Sequence, residues 1–226
     1  MNLVFLGPAG SGKTTLVWKF GEFLKGENYE IFRVNLDCAV KTLPYIPDFD
    51  IRNHFTLESI MHRYSLGPNG AMVKSIELIW RKREEIRNLC KKKEFALIDM
   101  PGQLELVIFQ ERKLSDIFKH DRSVAIFLMP ADLIENERDY CFLRLLNLAV
   151  KFRIDMPCIY VISKADLIER KWKMRKVSDS LSEGIRNLLG EIEDSQRLIY
   201  VSRNGRGFEE LFSLVHEAFC TCGDLS

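Results

Sequence analysis

The sequence has no excess of charge of one sign and no long apolar run. Lys and Arg number 33, Asp and Glu number 32, and the net charge is +1. Domains that hold nucleic acid through bulk charge carry a clear basic excess, so we expect no direct nucleic-acid binding. The longest stretch without a charged residue, Met1–Gly12, is far shorter than the roughly 20 residues of a membrane-spanning helix. We therefore expect no membrane span.

A disulfide framework is also missing from the sequence. The six cysteines show no framework spacing, which is typical of a reducing compartment. Met1–Gly12 lacks the basic start and the small-residue cleavage site of a secretory signal. We predict a cytoplasmic protein. Cys220 and Cys222 could bind a soft metal, but no third Cys or His lies nearby in the sequence to complete a tetrahedral set.

Short apolar runs alternate with helical patterns along the whole chain. Six runs are typical of parallel strands that are covered on both faces: Leu3–Leu6, Ile31–Asn35, Phe95–Ile98, Val124–Met129, Cys158–Ile162 and Leu198–Val201. After the first run, one helical stripe consists of Leu16, Phe20, Phe23 and Leu24. This alternation predicts an α/β fold, with a doubly wound, mainly parallel sheet flanked by helices. We predict a single domain over residues 1–226, with an irregular loop at Asp37–Asp50.

A phosphate-binding motif follows the first predicted strand. Gly7-Pro8-Ala9-Gly10-Ser11-Gly12-Lys13-Thr14 matches the pattern G-x-x-x-x-G-K-[ST] in the required strand-to-helix context. Its glycines let backbone amides surround phosphate oxygens at the positive end of a helix dipole. We expect Lys13 to span the β- and γ-phosphates and Thr14 to bind Mg²⁺. The predicted nucleotide-binding residues of this loop are Gly10, Ser11, Gly12, Lys13, Thr14 and Thr15.

A second acidic motif, Asp99-Met100-Pro101-Gly102-Gln103, follows the third predicted strand. A carboxylate at a strand end beside the phosphate loop can hold an Mg²⁺-bound water, so we assign Asp99 to the metal. The amide of Gly102 can donate to a γ-phosphate. Gln103 can orient an attacking water, because its side-chain amide both donates and accepts hydrogen bonds.

The fifth predicted strand ends in a motif that can select the base. In Ser163-Lys164-Ala165-Asp166, the Asp166 carboxylate can accept hydrogen bonds from the ring N–H and the exocyclic amine of guanine. Adenine presents a lone pair where guanine has the ring N–H, so it is disfavoured. The common form of the motif begins with Asn, and we expect Ser163 to weaken the contact behind the base. Ser202 follows the last strand, where a backbone amide could reach the guanine carbonyl. These motifs together predict a GTPase.

The segment Gly67-Pro68-Asn69-Gly70 lies between two helical patterns, Thr56–Tyr64 and Ala71–Leu89. With Asn35-Leu36-Asp37, the motif at Asp99, and the C-terminal Cys220-Thr221-Cys222-Gly223-Asp224, it closely resembles the GPN-loop GTPases, the archaeal branch especially. The resemblance covers essentially the whole chain. It implies a P-loop fold with a helical insertion over about residues 53–93, which carries the Gly-Pro-Asn loop.

The resemblance also implies a homodimer in which the Gly67-Pro68-Asn69 loop acts in trans. Asn69 would then contact phosphate or the attacking water, and Asp37 would lie in the first switch region near Mg²⁺. The implied cofactors are GTP, GDP and Mg²⁺, and the implied cellular role is assembly of a larger complex such as RNA polymerase, through a client protein that the sequence does not identify. On the residues alone, Gly, Pro and Asn also favour a simple helix-to-helix turn.

Three other functions stay open at this point. A P-loop kinase for a small molecule would need an acceptor pocket and an Arg-rich lid, and it would not need Lys164 and Asp166. A metal-insertion GTPase would need a Cys/His cluster on a switch, for which Cys38 alone is thin support. The chain could also be a scaffold whose nucleotide sets dimer shape. The basic run Arg170–Lys176 is typical of a solvated helix face rather than a binding patch.

Overall fold

The computed structural model describes residues 1–103, 110–118, 122–154, 156–167, 180–193 and 198–223. Within them, seven strands form one sheet in the order β3-β2-β4-β1-β5-β6-β7, and every neighbouring pair is parallel. The strands are β1 (Asn2–Leu6), β2 (Ile31–Asn35), β3 (Phe49–Asp50), β4 (Phe95–Asp99), β5 (Ser123–Pro130), β6 (Cys158–Ser163) and β7 (Leu198–Tyr200). The predicted doubly wound parallel sheet is confirmed.

Helices connect and cover these strands. In the described residues they are α1 (Lys13–Gly26), α2 (Leu57–Tyr64), α3 (Pro68–Arg81), α4 (Arg83–Cys90), α5 (Glu111–Phe118), α6 (Glu137–Arg153), α7 (Ser180–Glu193) and α8 (Phe208–Gly223). Short 3₁₀ turns follow three strands, at Ile51–Asn53, Ala131–Leu133 and Ala165–Leu167. A search of the described helices for a membrane span finds none with enough length and apolar character.

The core lies on both faces of the sheet because side chains alternate along each strand. In β1, Leu3 and Phe5 pack on the face that α1 covers, whereas Val4 and Leu6 pack on the opposite face. The predicted stripe of α1 is correct, since Leu16, Phe20 and Leu24 are buried and Phe23 is partly buried against the same cluster. Helix α1 is thereby fixed with its N-terminus at the end of β1, where the phosphate motif lies.

All six predicted strands are present, but the prediction of an irregular loop over Asp37–Asp50 is wrong at its end. Phe49 and Asp50 form β3, which pairs with Val34 and Asn35 of β2. Two residues are too short for a period in the sequence to reveal a strand. Their pairing depends on β2 being in place, and it brings Asp50 to the same sheet edge as Asn35.

Three helices, α2, α3 and α4, lie between β3 and β4 and fall inside residues 53–93, the range given for the expected helical insertion. The expected loop at Gly67-Pro68-Asn69-Gly70 is a correction: α3 already begins at Pro68, with Gly67 as its N-cap. Proline is favoured at the first helical position, because its fixed φ suits the helix and the missing N–H would be unpaired there. The expected Ala71–Leu89 helix is also interrupted, at Lys82 between α3 and α4.

Candidate nucleotide-binding site

The carboxyl ends of the parallel strands bring the predicted site residues to one edge of the sheet. Gly7 follows β1, Asp37 follows β2, Asp99 ends β4, Ser163 ends β6 and Ser202 follows β7. In open α/β sheets, ligands bind in the crevice outside these carboxyl ends. The topology therefore makes this edge the candidate site.

The phosphate loop has the backbone geometry that its glycines predict. Gly7, Gly10 and Gly12 have φ values of 145°, 74° and 89°, which disfavour residues with a Cβ. A Cβ on Gly7 would also lie 2.6 Å from the carbonyl oxygen of Leu128. The Lys13 ammonium donates to the carbonyl oxygens of Gly7 and Pro8, each at 2.9 Å. It thus lies across the mouth of the loop, where a phosphate would compete for it.

The electrostatics of the loop depend on Lys13 and two carboxylates. Burial lowers the pKa of Lys13, and the charges of Asp99 and Asp37 oppose that shift. Burial, together with the charge of Asp37, raises the pKa of Asp99 to about 6. Burial also raises the pKa of Asp37, although Lys13 and hydrogen bonds from nearby backbone amides partly offset it. Because the pKa values of both carboxyl groups are raised, a cation bound between them would favour their ionised forms.

The surroundings of Asp99 fit a magnesium ion. Asp99 is 1% exposed, and its Oδ1 has no hydrogen-bond partner among the described residues. Its other oxygen, Oδ2, accepts a hydrogen bond from the Tyr45 hydroxyl at 3.2 Å. The Thr14 hydroxyl interacts with the same carboxylate and lowers its pKa. An orphaned carboxylate oxygen beside a hydroxyl is the oxygen-rich donor set that Mg²⁺ prefers. Tyr45 was not predicted, because it lies within the segment expected to be irregular.

Asp37 and Gly102 face each other beside the phosphate loop. The Asp37 Oδ1 accepts a hydrogen bond from the Ala39 amide at 2.9 Å, and the Gly102 amide also interacts with this carboxylate. A Cβ on Gly102 would lie 3.4 Å from the Cα of Ala9 and 3.7 Å from Nζ of Lys13. The two predicted switch regions therefore meet beside the phosphate loop. Gln103 is half-buried directly after Gly102.

A pocket of about 350 Å³ joins the phosphate loop to the predicted base motif. Gly12 and Thr15 line one side, and Lys164, Asp166 and Ser202 line the other. The sequence predicted these residues separately, and the fold brings them into one cavity next to the start of α1.

Ser163, which stands where the common form of the motif has Asn, contacts the phosphate loop. Its hydroxyl donates to the backbone carbonyl of Ser11 at 2.7 Å and so ties the base loop to the phosphate loop. Lys164 has a φ of 58°, and its ammonium lies 2.6 Å from Oδ2 of Asp132. Asp132 had no signal in the sequence, since it follows a different strand, β5.

Other sequence features lie outside this arrangement. Asn69 is exposed on the first turn of α3 and does not line the pocket. Burial raises the pKa of Cys38 to about 11, which disfavours the thiolate that a metal needs. Cys220 and Cys222 lie near the end of α8, but their side chains are outside the described part of the chain, as is the run Arg170–Lys176. Among the described residues, no group of three His, Cys, Asp or Glu could hold a metal.

Comparison with known proteins agrees with this architecture. A family model described as "conserved hypothetical ATP binding protein" matches residues 5–221. A GPN-loop GTPase of Pyrococcus abyssi is 35% identical over 250 aligned positions, which cover 100% of both chains. The apo-form crystal structure of a GTPase from that organism has a TM-score of 0.83 at 33% identity, and the match covers 98% of each chain. GPN-loop GTPase 2 of Danio rerio is 32% identical over 76% of this chain and 57% of its own length.

The fold and the site define a P-loop nucleotide-binding protein. Within that class, the chain belongs to the GPN-loop GTPase family, as the full-length similarity to the P. abyssi protein shows.

Proposed function

We propose that this chain is a Mg²⁺-dependent GTPase whose bound nucleotide controls the shape of a homodimer. Membership of the GPN-loop family makes it a P-loop protein that binds and hydrolyses GTP. The observation that carries the proposal is the pocket that joins Gly12 and Thr15 to Lys164 and Asp166. It gives one ligand both a phosphate cradle and a carboxylate for the base.

The choice of guanine rests on Asp166. A carboxylate can accept from the ring N–H and the amine of guanine, whereas adenine would leave it facing a lone pair. In Asp166→Asn, the new amide would donate to a base with a carbonyl at that edge, such as xanthine. We expect this variant to lose GTP affinity by at least about tenfold and to gain XTP affinity. Competition of GTP, XTP and ATP against a fluorescent nucleotide measures this, and unchanged GTP preference would contradict the assignment.

We assign the phosphate chemistry to the residues that meet at the loop. Lys13 leaves the carbonyls of Gly7 and Pro8 to bind the β- and γ-phosphates. Thr14, Asp37 and Asp99 would hold Mg²⁺ and its water shell, and a metal there neutralises charge that develops on the phosphate oxygens. Gln103 would place the attacking water. Gly10, Ser11, Gly12, Thr15 and Gly102 would supply the phosphate contacts, and Ser163, Lys164 and Ser202 those to the base.

The phosphate acceptor separates this function from a small-molecule kinase. A GTPase transfers the phosphoryl group to water, so it releases phosphate with no added acceptor. We therefore expect purified protein to release phosphate from GTP in Mg²⁺ buffer, and more slowly from ATP. Release that requires an added metabolite would favour the kinase instead.

The exposed position of Asn69 supports its action across a dimer. Asn69 and Pro68 project on the first turn of α3, where a second copy could receive them. Mixing two inactive variants tests this. In a heterodimer of Lys13→Ala with Asn69→Ala, one site keeps its own Lys13 and receives an intact Asn69 of the partner subunit. Activity that recovers on mixing supports action in trans, whereas no recovery contradicts it.

We further propose that the dimer acts in the cytoplasm and assists assembly of a larger complex such as RNA polymerase. Cys38, Cys141 and Cys158 are thiols rather than disulfide-bonded, which supports a reducing compartment. A Gln103→Leu variant, with the water-positioning amide removed, should accumulate in the GTP state. A client protein that binds this variant but not the GDP-loaded protein would identify the complex. A client that binds both nucleotide states equally would contradict a switch.

A further inference from the structure

Two residues outside the motifs, Asp50 and Arg52, lie beside the loop that carries Asp37. Asp50 ends β3 and pairs with Asn35 at the end of β2. Arg52 lies two residues further, in the 3₁₀ turn Ile51–Asn53. Both therefore reach the same edge of the sheet as the phosphate loop.

Asp50 and Arg52 form a tight, two-pronged ion pair. Nε of Arg52 lies 3.0 Å from each carboxylate oxygen of Asp50, and Nη2 lies 2.6 Å from Oδ2. The Asp50 side chain is only 10% exposed, and the Arg52 side chain is 23% exposed. Burial raises the pKa of Asp50, but hydrogen bonds from Arg52 and Asn35 outweigh it and the pKa is lowered. Such a fork-to-carboxylate pair fixes direction as well as distance.

The third guanidinium nitrogen of Arg52, Nη1, binds the C-terminal end of the loop 37–41. Nη1 of Arg52 donates to the carbonyl oxygens of Val40 at 3.2 Å and Lys41 at 3.0 Å. Since Asp50 fixes the plane of the guanidinium, the two carbonyls are held at a set place relative to β3.

The Asp50 carboxylate also holds the N-terminal end of this loop, because Asn35 links it to Asp37. Oδ1 of Asp50 accepts a hydrogen bond from Nδ2 of Asn35 at 2.9 Å. Oδ1 of Asn35 in turn accepts from the amide of Asp37 at 3.1 Å, and Asn35 Nδ2 lies 3.3 Å from the Asp37 carbonyl. Asn35 is completely buried. Both ends of residues 37–41 thus depend on Asp50.

We propose that Asp50 and Arg52 are positioning residues for GTP hydrolysis, which hold the loop 37–41 so that the Asp37 carboxylate stays beside the phosphate site. The proposal rests on the proposed role of Asp37. Neither residue needs to touch the nucleotide, because each acts through the loop backbone. Misplacement of a reacting group by about 1 Å can cost roughly 10²-fold in rate.

The first test separates rate from binding. In Arg52→Gln, we expect kcat for GTP hydrolysis to fall by about 10- to 100-fold, while GTP and GDP affinities change by less than about threefold, because Lys13 and Asp166 are untouched. Arg52→Lys keeps the charge but loses the fork, so it should fall in between. The matched control is Arg81→Gln, which breaks an exposed Arg–Glu77 pair on α3 and should leave kcat unchanged. An Arg52→Gln variant with the parent kcat would overturn the proposal.

The second test asks whether Arg52 acts through Asp37. If it does, Arg52→Gln should slow an Asp37→Asn enzyme by less than about twofold, because residues that act as a unit are not additive. Full additivity of the two losses would show that Arg52 affects hydrolysis by another route. It would overturn the proposal.

A third measurement does not depend on hydrolysis. Hydrogen exchange of the amides in residues 37–41 of nucleotide-free protein should be at least about tenfold faster in Arg52→Gln than in the Arg81→Gln control. Unchanged exchange would refute the clamp even if hydrolysis fell. If exchange accelerates but Asp37→Asn hydrolyses GTP normally, the clamp exists and the proposed role of Asp37 is the part that fails.

Discussion

Replacing Asp99 by Asn should make the nucleotide-free protein more stable while it strongly slows GTP hydrolysis. Asp99 is 1% exposed, its Oδ1 has no hydrogen-bond partner in the described structure, and its pKa is raised from 3.8 to about 6. A shift of this size corresponds to about 3 kcal/mol of unfolding free energy at neutral pH. Asn keeps the shape and one acceptor oxygen for the Tyr45 hydroxyl but carries no charge.

The sign of this effect depends on pH. Between about pH 4 and 6, folded Asp99 binds more protons than unfolded Asp99, so the free energy of unfolding falls as pH rises. The cost of the buried charge is fully present above pH 6 and absent below about 4. We therefore expect the free energy of unfolding of Asp99→Asn to exceed that of the parent protein by about 1–3 kcal/mol at pH 7.5 and by much less at pH 4.5.

Urea unfolding in EDTA, at one fixed protein concentration, measures the difference at both pH values. Glu27→Gln is the control, because it removes one carboxylate charge from an exposed position after α1. In Mg²⁺ and GTP, Asp99→Asn should lose at least about 10²-fold in hydrolysis, because the carboxylate that we propose to hold Mg²⁺ is gone. The reasoning would be refuted if Asp99→Asn were less stable than its parent at pH 7.5. It would also be refuted if the difference in their free energies of unfolding did not change with pH.

Three further substitutions probe the backbone and the base loop. Gly207→Ala should destabilise the protein by more than about 2 kcal/mol in urea, because its φ is 79° and a Cβ would lie 2.1 Å from the Tyr200 carbonyl. In Gly184→Ala, the new Cβ in α7 meets no atom of the described residues within 4 Å, apart from its own helix backbone and chain neighbours. This variant should instead stabilise the protein by up to about 1 kcal/mol, and equal effects of the two changes would contradict both predictions. Ser163→Ala removes the hydrogen bond to Ser11 and should weaken GTP and GDP binding equally, by about fivefold, with kcat retained. Nucleotide titration and single-turnover hydrolysis check this, and a loss confined to kcat would be inconsistent with it.

Local signals in the sequence were sufficient for six of the seven strands in the described residues and for the phosphate loop. The run Val124–Met129 is apolar throughout and the other five are nearly so, because a parallel strand is covered on both faces. The phosphate motif needs glycines at positive φ, and its residues are adjacent in the chain, so their spacing is visible without a fold. The six predicted strands were therefore correct, as was the stripe of α1.

The interactions that finish the site join residues that are distant in the chain. The Tyr45 hydroxyl meets Asp99 across 54 positions, and Ser163 meets Ser11 across 152. No local period encodes such pairs. Pro68 was misplaced for a related reason: the same residues suit a turn or the first turn of a helix, and packing of α3 on the sheet decides between them.

By itself, the sequence determined that this protein has a parallel α/β sheet and a phosphate loop, and it predicted a base motif suited to guanine, because these depend on neighbouring residues. The tertiary structure alone decided that β3 joins the sheet and that Asp50 and Arg52 reach the loop of Asp37. It also left the Asp99 carboxylate buried with an unpaired oxygen. The physical reason is that burial and long-range hydrogen bonds exist only once the strands are assembled side by side.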